Sequence, residues 1–446
     1  MDILQEIDKD LHTVEDSRES GQDRLIALNN ILQYMAGLQN TANYDTAVIL
    51  ALIDHLEKEV ISEYIIGKLT QELREVLNIP LHHQKAVIVI GKNWAAQATK
   101  EYLKKSDFCI ISEDKVDWMC ADKYEVVFII CERNTVEEIY LQRKNCEQIV
   151  RLYIIYEIEF LRVPFLKKTF EAFEKGCEKG NVECLVTGLS YGRDGVHPDL
   201  MARPTLSVAN SAQDLYNDFL YLKYACEKIE SLQYVISAIA PYSLRYDESL
   251  ATTKNNEELF YYTIFRDVHH NNMILSQVKE YECEKEKIEI FLGGGEYKDY
   301  SAWLYQEYVI YKGEKTLFDP HEVFMMENVC MDETDQIRKQ FEKPYDKTLE
   351  ENKQILQQYC DFINQKKLKL LFVVLPHSDF YRKYWKEDYY LELMDYLVLL
   401  KAEYQIEYLD LSHVKLPDHY FRDNSHLNRI GAIYVSEEIN KWLEKS

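Results

Sequence analysis

The stretch that decides the fold is NVECLVTGLSYGR, residues 181–193, in which an apolar run passes directly into a turn. Residues 181–188 have the composition of a buried β-strand, and Gly188 and Gly192 permit a sharp turn around Ser190. Four more runs of this kind follow: TLSVAN (205–210), LQYVISAIA (232–240), LKLLFVVL (368–375) and IEYLDL (406–411). Because helical segments separate most of them, we predict a parallel sheet.

The helical segments show apolar residues at three- and four-residue spacing, and they lie at 213–229, 347–367, 389–404 and 429–445. Residues 242–345 have mixed charge and a Gly-Gly-Gly stretch, and we interpret them as an irregular insertion after the third strand. The sequence therefore predicts a five-stranded α/β domain over residues 178–446, with an insertion at about 242–345.

A second, smaller α/β pattern precedes this domain. KAVIVIG (85–91), FCIIS (108–112), EVVFII (125–130) and IVRLYII (149–155) read as strands, with helical segments after the first and third. Residues 80–177 are therefore predicted to form a small Rossmann-like domain. Residues 1–79 contain amphipathic helical patterns that end at Pro80, and we predict a helical region there.

The composition excludes several functions. The 446 residues include 52 Lys and Arg against 76 Asp and Glu, a net charge of -24. Such a surface repels phosphate, so we expect no nucleic-acid partner. No apolar stretch reaches the roughly 20 residues that cross a bilayer, and the N-terminus does not resemble a secretory signal. We therefore expect a cytoplasmic protein without a membrane span. The ten scattered cysteines form no C-x-x-C pair, and we expect reduced thiols.

The turn after the first strand, Gly91-Lys92-Asn93-Trp94-Ala95-Ala96, lies where a dinucleotide fingerprint would stand. That fingerprint needs three glycines, and only Gly91 is present, with Ala96 as a tolerable third position. Two interpretations stay open. Gly91 begins a cofactor-binding turn, or the domain binds no nucleotide and residues 1–177 serve to contact a protein partner.

Candidate catalytic residues follow the first and last strands of the larger domain. Ser190 lies just past residues 181–188, and Asp423 and His426 lie between the last strand and the last helix. The carboxyl ends of parallel strands meet at one edge of a sheet, so these residues are expected to come together. A histidine can deprotonate a serine hydroxyl, and an aspartate can orient the imidazole. Turn formation at Ser190 and helix capping at Asp423 are the alternatives.

At these positions the sequence resembles the SGNH (GDSL-like) hydrolase superfamily. The resemblance rests on Gly188-Leu189-Ser190 and on Asp423-Asn424-Ser425-His426-Leu427, within residues 178–446. It is strongest for the acyltransferase and esterase branch that includes the D-alanyl-lipoteichoic-acid transfer proteins. The resemblance implies a three-layer α/β/α fold with a parallel sheet for this domain. It also implies that Ser190 is the nucleophile, His426 the base and Asp423 its orienting acid.

The expected oxyanion hole departs from the family pattern. Leu189 replaces the aspartate of the fuller first block, Asn210 stands where a glycine is usual, and Pro241-Tyr242-Ser243 replaces an expected asparagine. We therefore take the backbone N–H groups of Tyr191 and Ser211 and the amide of Asn210 as oxyanion candidates.

Four further residues are candidates for lining the substrate site: Arg193, Tyr242, Arg245 and His377. Arg193 either grips an anionic group or is an exposed arginine without a partner. His377 either lines the pocket or competes with His426 as base. The pair His269-His270 has a metal-like composition, but adjacent side chains are expected to point apart, so we predict a loop and no metal site.

Together these features predict a serine esterase or O-acyltransferase that acts on a small-molecule or carbohydrate acyl ester and needs no cofactor. The resemblance suggests precursors of surface polysaccharide or teichoic acid as substrates. A non-catalytic pseudo-hydrolase that assembles a polysaccharide-synthesis complex is the alternative, because the family's second and third blocks are incomplete.

Overall fold

The computed structural model describes residues 86–106, 108–111, 127–133, 148–313, 334–341 and 346–445, and five positions near the N-terminus (9, 10, 12, 13 and 30). Apart from those five positions, which are helical, the predicted N-terminal helical region lies outside the described residues. The described part is an α/β structure with strictly parallel strand pairing, as predicted.

All nine predicted strands are confirmed, most of them shorter than the sequence suggested. They are β1 (Ala86–Ile90), β2 (Cys109–Ile111), β3 (Val127–Ile130), β4 (Ile149–Arg151), β5 (Cys184–Gly188), β6 (Thr205–Ser207), β7 (Tyr234–Ile239), β8 (Lys369–Val374) and β9 (Ile406–Asp410).

The α-helices within the described residues cover both parts of the chain. They are α1 (Trp94–Lys105), α2 (Leu152–Tyr156), α3 (Pro164–Cys177), α4 (Ser190–Gly195), α5 (Leu215–Lys228), α6 (Asn255–Phe265), α7 (Leu275–Leu292), α8 (Gly294–Lys312), α9 (Thr334–Phe341), α10 (Leu349–Lys366), α11 (Asp379–Arg382), α12 (Glu387–Glu403) and α13 (Arg429–Lys445). Among them, none is both long enough and apolar enough to cross a membrane.

Contacts between residues divide the chain into two compact units. The first contains residues 1–156 and 280–313, and the second contains residues 157–279 and 314–446. In the first unit the strand order is β2-β1-β3-β4. Helix α8 packs beside α1 there, where the Thr99 and Tyr300 hydroxyls are 2.9 Å apart. Part of the sequence insertion thus belongs to the smaller sheet's unit.

The second unit contains a sheet with the order β6-β5-β7-β8-β9. Successive residues of β8 alternate between two apolar clusters: Leu370 and Phe372 belong to one, and Leu371 and Val373 to the other. Side chains alternate across a strand, so the two clusters lie on opposite faces of the sheet. Helices α5, α10 and α12 contribute to the first cluster, and α4 and α13 to the second. This arrangement is the predicted three-layer α/β/α architecture.

Two local predictions are wrong. The strand predicted at 149–155 ends at Arg151, and residues 152–156 continue as helix α2. A short apolar run alone does not distinguish a strand from a buried helix. The insertion was predicted to be irregular, but its described part holds helices α6, α7, α8 and α9. The first of the three glycines, Gly293, separates α7 from α8 and adopts a φ of 83°, and the other two begin α8.

Candidate active site

The last residue of strand β5, Gly188, begins the turn that contains Ser190. Gly188 pairs in register with Ala238 of β7, and its φ is +118°, a conformation that L side chains rarely adopt. A Cβ atom at Gly188 would overlap the carbonyl oxygen of Ala238. The N–H of Gly188 donates to Asp218 at 2.9 Å. Only glycine fits at this position, and it directs the chain out of the sheet at Ser190.

Helix α4 begins at Ser190, so the serine stands at a helix N-terminus. The N–H groups of Gly192 and Arg193 donate to the carbonyl of Leu189, at 2.9 and 3.3 Å. The first N–H groups of a helix have no acceptor within it. The N–H groups of Ser190 and Tyr191 occupy these positions beside the hydroxyl, where they can face a negatively charged oxygen.

The acid and base share one tight loop after β9. Phe421 and Leu427 form an isolated antiparallel bridge, and the N–H of Arg422 donates to the carbonyl of His426 at 2.8 Å. Within this loop, Oδ1 of Asp423 accepts from the N–H groups of Ser425 (2.9 Å) and His426 (2.8 Å). An aspartate that binds backbone N–H groups two and three residues ahead is a turn former, as the capping interpretation expected. The same turn brings the Asp423 carboxylate against the His426 ring.

The three predicted catalytic side chains, Ser190, His426 and Asp423, are in hydrogen-bond contact, and we call them the predicted triad, or the triad for short. Nε2 of His426 lies 2.7 Å from Oγ of Ser190. Nδ1 of the same ring lies 2.9 and 2.8 Å from the two carboxylate oxygens of Asp423. With the ring proton on Nδ1 and donated to Asp423, the lone pair of Nε2 faces the serine hydroxyl, which is the tautomer a general base needs.

Solvent reaches this group of residues. Ser190 is half-buried, and the side chains of His426 and Asp423 are 17% and 22% exposed. Burial opposes the charged form of Asp423. The hydrogen bond and charge of His426, the N–H of Ser425 and the guanidinium of Arg422 outweigh burial and hold the pKa of Asp423 well below its ordinary value. The carboxylate therefore stays ionised at neutral pH.

A chain of charged groups continues from Asp423 into the interior. Arg422 contacts Oδ2 of Asp423 at 3.2 Å and Oδ2 of Asp194 at 2.8 Å. Asp194 is fully buried, and it also accepts from Nε and Nη2 of Arg193, at 2.7 and 2.9 Å. Arg193 further donates to the hydroxyl of Ser211. The aspartate of the triad is thus anchored through Arg422 to the helix that begins at the serine.

This network decides between the two interpretations of Arg193. The side chain is buried and paired with Asp194, so it is not an exposed arginine without a partner. Its bidentate face is directed at Asp194, a residue of the protein itself. The geometry favours a structural role for Arg193 over the binding of an anionic substrate group.

His377 lies in an aromatic wall next to the triad. Its ring stacks on Tyr381 (centroids 4.5 Å apart) and meets Tyr191 edge-on at 5.0 Å. Tyr191 in turn stacks on His426 at 5.1 Å. Burial and the nearby His426 lower the pKa of His377 to about 3, which keeps its ring neutral. No described hydrogen bond joins His377 to Ser190, whereas His426 contacts the serine hydroxyl, so the geometry favours His426 over His377 as the candidate base.

The oxyanion candidates after β6 are arranged differently from Tyr191. The amide nitrogen of Asn210 donates to the carbonyl of Val208 at 3.1 Å, and Oε1 of Gln213 is 3.5 Å away. Asn210 is fully buried, and its backbone N–H donates to the carbonyl of Gly188. The side-chain amide of Asn210 therefore stabilises the loop after β6, and this geometry does not favour it as an oxyanion donor. Ser211 stays close to the site through its hydroxyl contact with Arg193.

Tyr242 and Arg245 begin the insertion, as predicted, and are placed differently. Tyr242 is buried, and its hydroxyl interacts with that of Tyr191. Arg245 is paired with Glu392 through Nε (3.0 Å) and Nη2 (2.9 Å), and its guanidinium lies over the Tyr389 ring. Tyr242 thus lies beside Tyr191, next to the triad, whereas Arg245 connects the insertion to helix α12 through Glu392.

In the turn at Gly91, in the first unit, the backbone N–H of Lys92 and the side chain of Asn93 form hydrogen bonds with other groups of the protein. Gly91 has a φ of +130°. Asn93 caps helix α1 by accepting from the N–H of Ala96, and its amide donates to the carbonyl of Cys131. The N–H of Lys92 donates to the carboxylate of Glu132 at 2.8 Å. A carboxylate in this place repels a phosphate, so the geometry does not favour nucleotide binding at Gly91.

Two residues that the sequence did not single out are part of the site. Asp194 and Arg422 join the serine helix to the aspartate loop, and each is next to or near a triad residue in sequence. The only sequence feature that could have identified them is their closeness along the chain to Ser190 and Asp423. The pairing itself joins residues 228 positions apart, and charge alone does not identify which of many acids and bases will meet.

No protein-family model matches the sequence, and no curated protein matches it significantly.

Proposed function

We propose that this protein is a serine-dependent esterase or O-acyltransferase of the SGNH type, acting on acyl esters of carbohydrates or of surface-polymer precursors. The observation that carries the proposal is the continuous contact from Ser190 Oγ through both ring nitrogens of His426 to Asp423. A serine hydroxyl is a weak nucleophile until such a base removes its proton.

The reaction would proceed in two half-reactions. As Oγ of Ser190 attacks the acyl carbonyl, Nε2 of His426 takes the hydroxyl proton, and the imidazolium is stabilised by Asp423. Collapse of the tetrahedral intermediate breaks the ester bond, and His426 returns the proton to the leaving alcohol. The acyl group then leaves Ser190 for water in an esterase, or for a sugar hydroxyl in a transferase, with His426 deprotonating the acceptor.

The negative charge of the intermediate requires donors near Ser190. The N–H groups of Ser190 and Tyr191, at the start of α4, are the donors best placed for this purpose. Loss of one oxyanion donor costs about 3 to 4 kcal/mol of transition-state stabilisation. Since Asn210 is engaged elsewhere, we expect turnover to be slow compared with enzymes that have a third donor.

The proposal is tested with the full chain on a panel of short-chain aryl esters and acetylated sugars. We expect wild-type turnover that falls to background in Ser190→Ala and His426→Ala. Ser436→Ala is the matched control, since Ser436 is a buried serine outside the site. Equal turnover in wild type and Ser190→Ala would remove the serine from the mechanism.

The engaged amide of Asn210 also favours a second candidate, a pseudo-hydrolase that binds partners without turning over esters. Residues 1–177 would then provide the contact with a partner in surface-polysaccharide synthesis. The two candidates differ in serine reactivity, because only an activated serine reacts with a fluorophosphonate.

A further inference from the structure

A second cluster of polar side chains lies in the second unit, away from the triad residues in sequence. Asp247, His269, His270 and Glu351 each offer one ligand atom, and these four atoms all lie within 4.8 Å of one another. The two histidines lie in a loop, as the sequence predicted. Their rings do not point apart: the centroids are 3.9 Å from each other. The irregular backbone after α6 allows adjacent side chains to share one side.

The distances within this cluster suit atoms that share a cation. Nδ1 of His269 lies 3.6 Å from Oδ1 of Asp247, and Nε2 of His270 lies 3.9 Å from Oδ2 of the same carboxylate. Both distances exceed a hydrogen bond. Ligands bound to one zinc ion at 2.0 to 2.1 Å in a tetrahedron are separated by about 3.3 Å. Oε1 of Glu351 lies 3.2 Å from Nε2 of His269, and Oε2 of Glu351 lies 2.8 Å from Nε2 of His270. Glu351 thus contacts the Nε2 atoms of both rings, whereas Asp247 lies nearest the Nδ1 atom of His269.

Asp247 is prepared for a ligand role. It is buried, and its Oδ1 accepts from the N–H of Ser249 at 2.9 Å and from the Ser249 hydroxyl. Its Oδ2 is equally buried and has no hydrogen-bond partner within the described residues. A buried carboxylate oxygen without a partner is costly unless a proton or a cation satisfies it. The contacts with Ser249 hold Oδ1, and Oδ2 faces Nε2 of His270 at 3.9 Å.

The histidines are also held in place by their surroundings. The ring of Tyr216 stacks on His269 with centroids 3.9 Å apart and planes 3° from parallel, and its hydroxyl donates to Asp267. The N–H of His270 donates to the Ser249 hydroxyl at 3.2 Å. Outer contacts that fix ring orientation are typical of metal-binding histidines. The same serine thus positions both Asp247 and His270.

We propose that Asp247, His269, His270 and Glu351 bind a divalent transition-metal ion, with Zn²⁺ as the best fit. Two imidazoles and two carboxylates suit a borderline cation, whereas Ca²⁺ and Mg²⁺ prefer oxygen ligands throughout. Two carboxylates also balance the charge of the ion. The site joins the segment after β7, the loop after α6 and the first turn of α10, so the ion would fasten the insertion to the sheet domain.

The experiment is a titration of the EDTA-treated full chain with ZnCl₂ by calorimetry, with the bound metal counted by mass spectrometry. We expect one Zn²⁺ per chain at this site and a rise in melting temperature of about 5 °C at saturating metal. His270→Gln and Glu351→Gln alter partly exposed ligands and so leave the fold intact, and each should weaken binding at least about tenfold. Asp247→Asn is less suitable because its buried contacts organise the loop.

Two variants serve as matched controls. Glu350→Gln removes the neighbouring exposed carboxylate, and His413→Gln removes an exposed histidine outside the cluster; both should bind Zn²⁺ as the wild type does. Co²⁺ used as an optical probe should give ligand-field bands without a thiolate charge-transfer band. Absence of Zn²⁺ binding would overturn the proposal. Binding that survives in both ligand variants, or a thiolate band, would overturn it as well.

Discussion

Nε2 of His426 lies 2.7 Å from Oγ of Ser190, although the two residues are 236 positions apart in the chain. The parallel sheet brings them together, because β5 and β9 both end at the same edge. Nδ1 of the same ring contacts Asp423. Arg422 then links Asp423 to Asp194. Substitutions at successive distances from the serine test this arrangement.

Replacement of Asp423 by asparagine should lower kcat by about 10⁴-fold, because an amide neither stabilises the imidazolium nor favours the required tautomer. The measurement is steady-state hydrolysis of an aryl ester by the full chain. Asp418→Asn, in the same loop but exposed, is the control and should retain wild-type kcat. Wild-type kcat in Asp423→Asn would show that the carboxylate has no part in turnover.

Arg422 should act as a positioning residue and also stabilise the fold. Arg422→Gln leaves the buried Asp194 with a single guanidinium partner, at a cost of about 1.5 to 3 kcal/mol. Urea unfolding measures this loss, and kcat should fall while KM changes little. Arg422→Lys should restore part of both quantities. Arg429→Gln, at an exposed pair, should change stability by less than about 0.5 kcal/mol; an equal effect in the two variants would contradict the role of Arg422.

Gly188→Ala should destabilise the protein strongly. The new Cβ would strike the Ala238 carbonyl and would also hold a residue at a φ of +118°, for a combined cost of about 3 kcal/mol or more. Gly180→Ala separates the two causes, because Gly180 has a φ of +70° and nothing lies within 4 Å of the place where its Cβ would stand. We expect a cost of about 1 kcal/mol there. Thermal unfolding that ranks the two variants equally would refute the steric argument.

Stability should fall as the pH rises from about 4 to about 8. Burial raises the pKa of Asp218 to about 8, so the folded protein keeps a proton that the unfolded chain releases near pH 4. Stability decreases with pH wherever the folded state binds more protons, which fixes the sign in this window. Buried Glu258, with its pKa also raised to about 8, adds to the effect.

Asp218→Asn removes one of these ionisable groups and should flatten the dependence between pH 5 and pH 8.5. Urea unfolding at the two pH values measures it. Asp361→Asn changes an exposed carboxylate and should keep the wild-type slope. A slope in Asp218→Asn as steep as that of the wild type would show that Asp218 does not carry the buried proton.

Much of this molecule could be predicted from sequence because its signals are local. Runs of β-branched residues marked the nine strands, and helical periodicity marked α13 to the residue. Strand order then placed Ser190, Asp423 and His426 at one edge. The helices of the insertion were missed because α7 carries charge on much of its surface and weak amphipathic contrast, and because three glycines suggested a loop.

Side-chain pairing between distant segments was not predictable in this way. The direction of the Asn210 amide depends on Val208 and Gln213, and the pairing of Arg245 depends on Glu392 far along the chain. The shared direction of His269 and His270 depends on the loop backbone and on the stacking of Tyr216. Each of these is a tertiary effect that periodicity and spacing do not encode.

The most direct test of the central claim is labelling of the full chain with a fluorophosphonate, followed by mass mapping of the modified peptide. The catalytic account predicts one label per chain, on Ser190, which is lost in Ser190→Ala and His426→Ala and retained in Ser436→Ala. A folded protein whose Ser190 stays unmodified, or is modified equally well without His426, would contradict it.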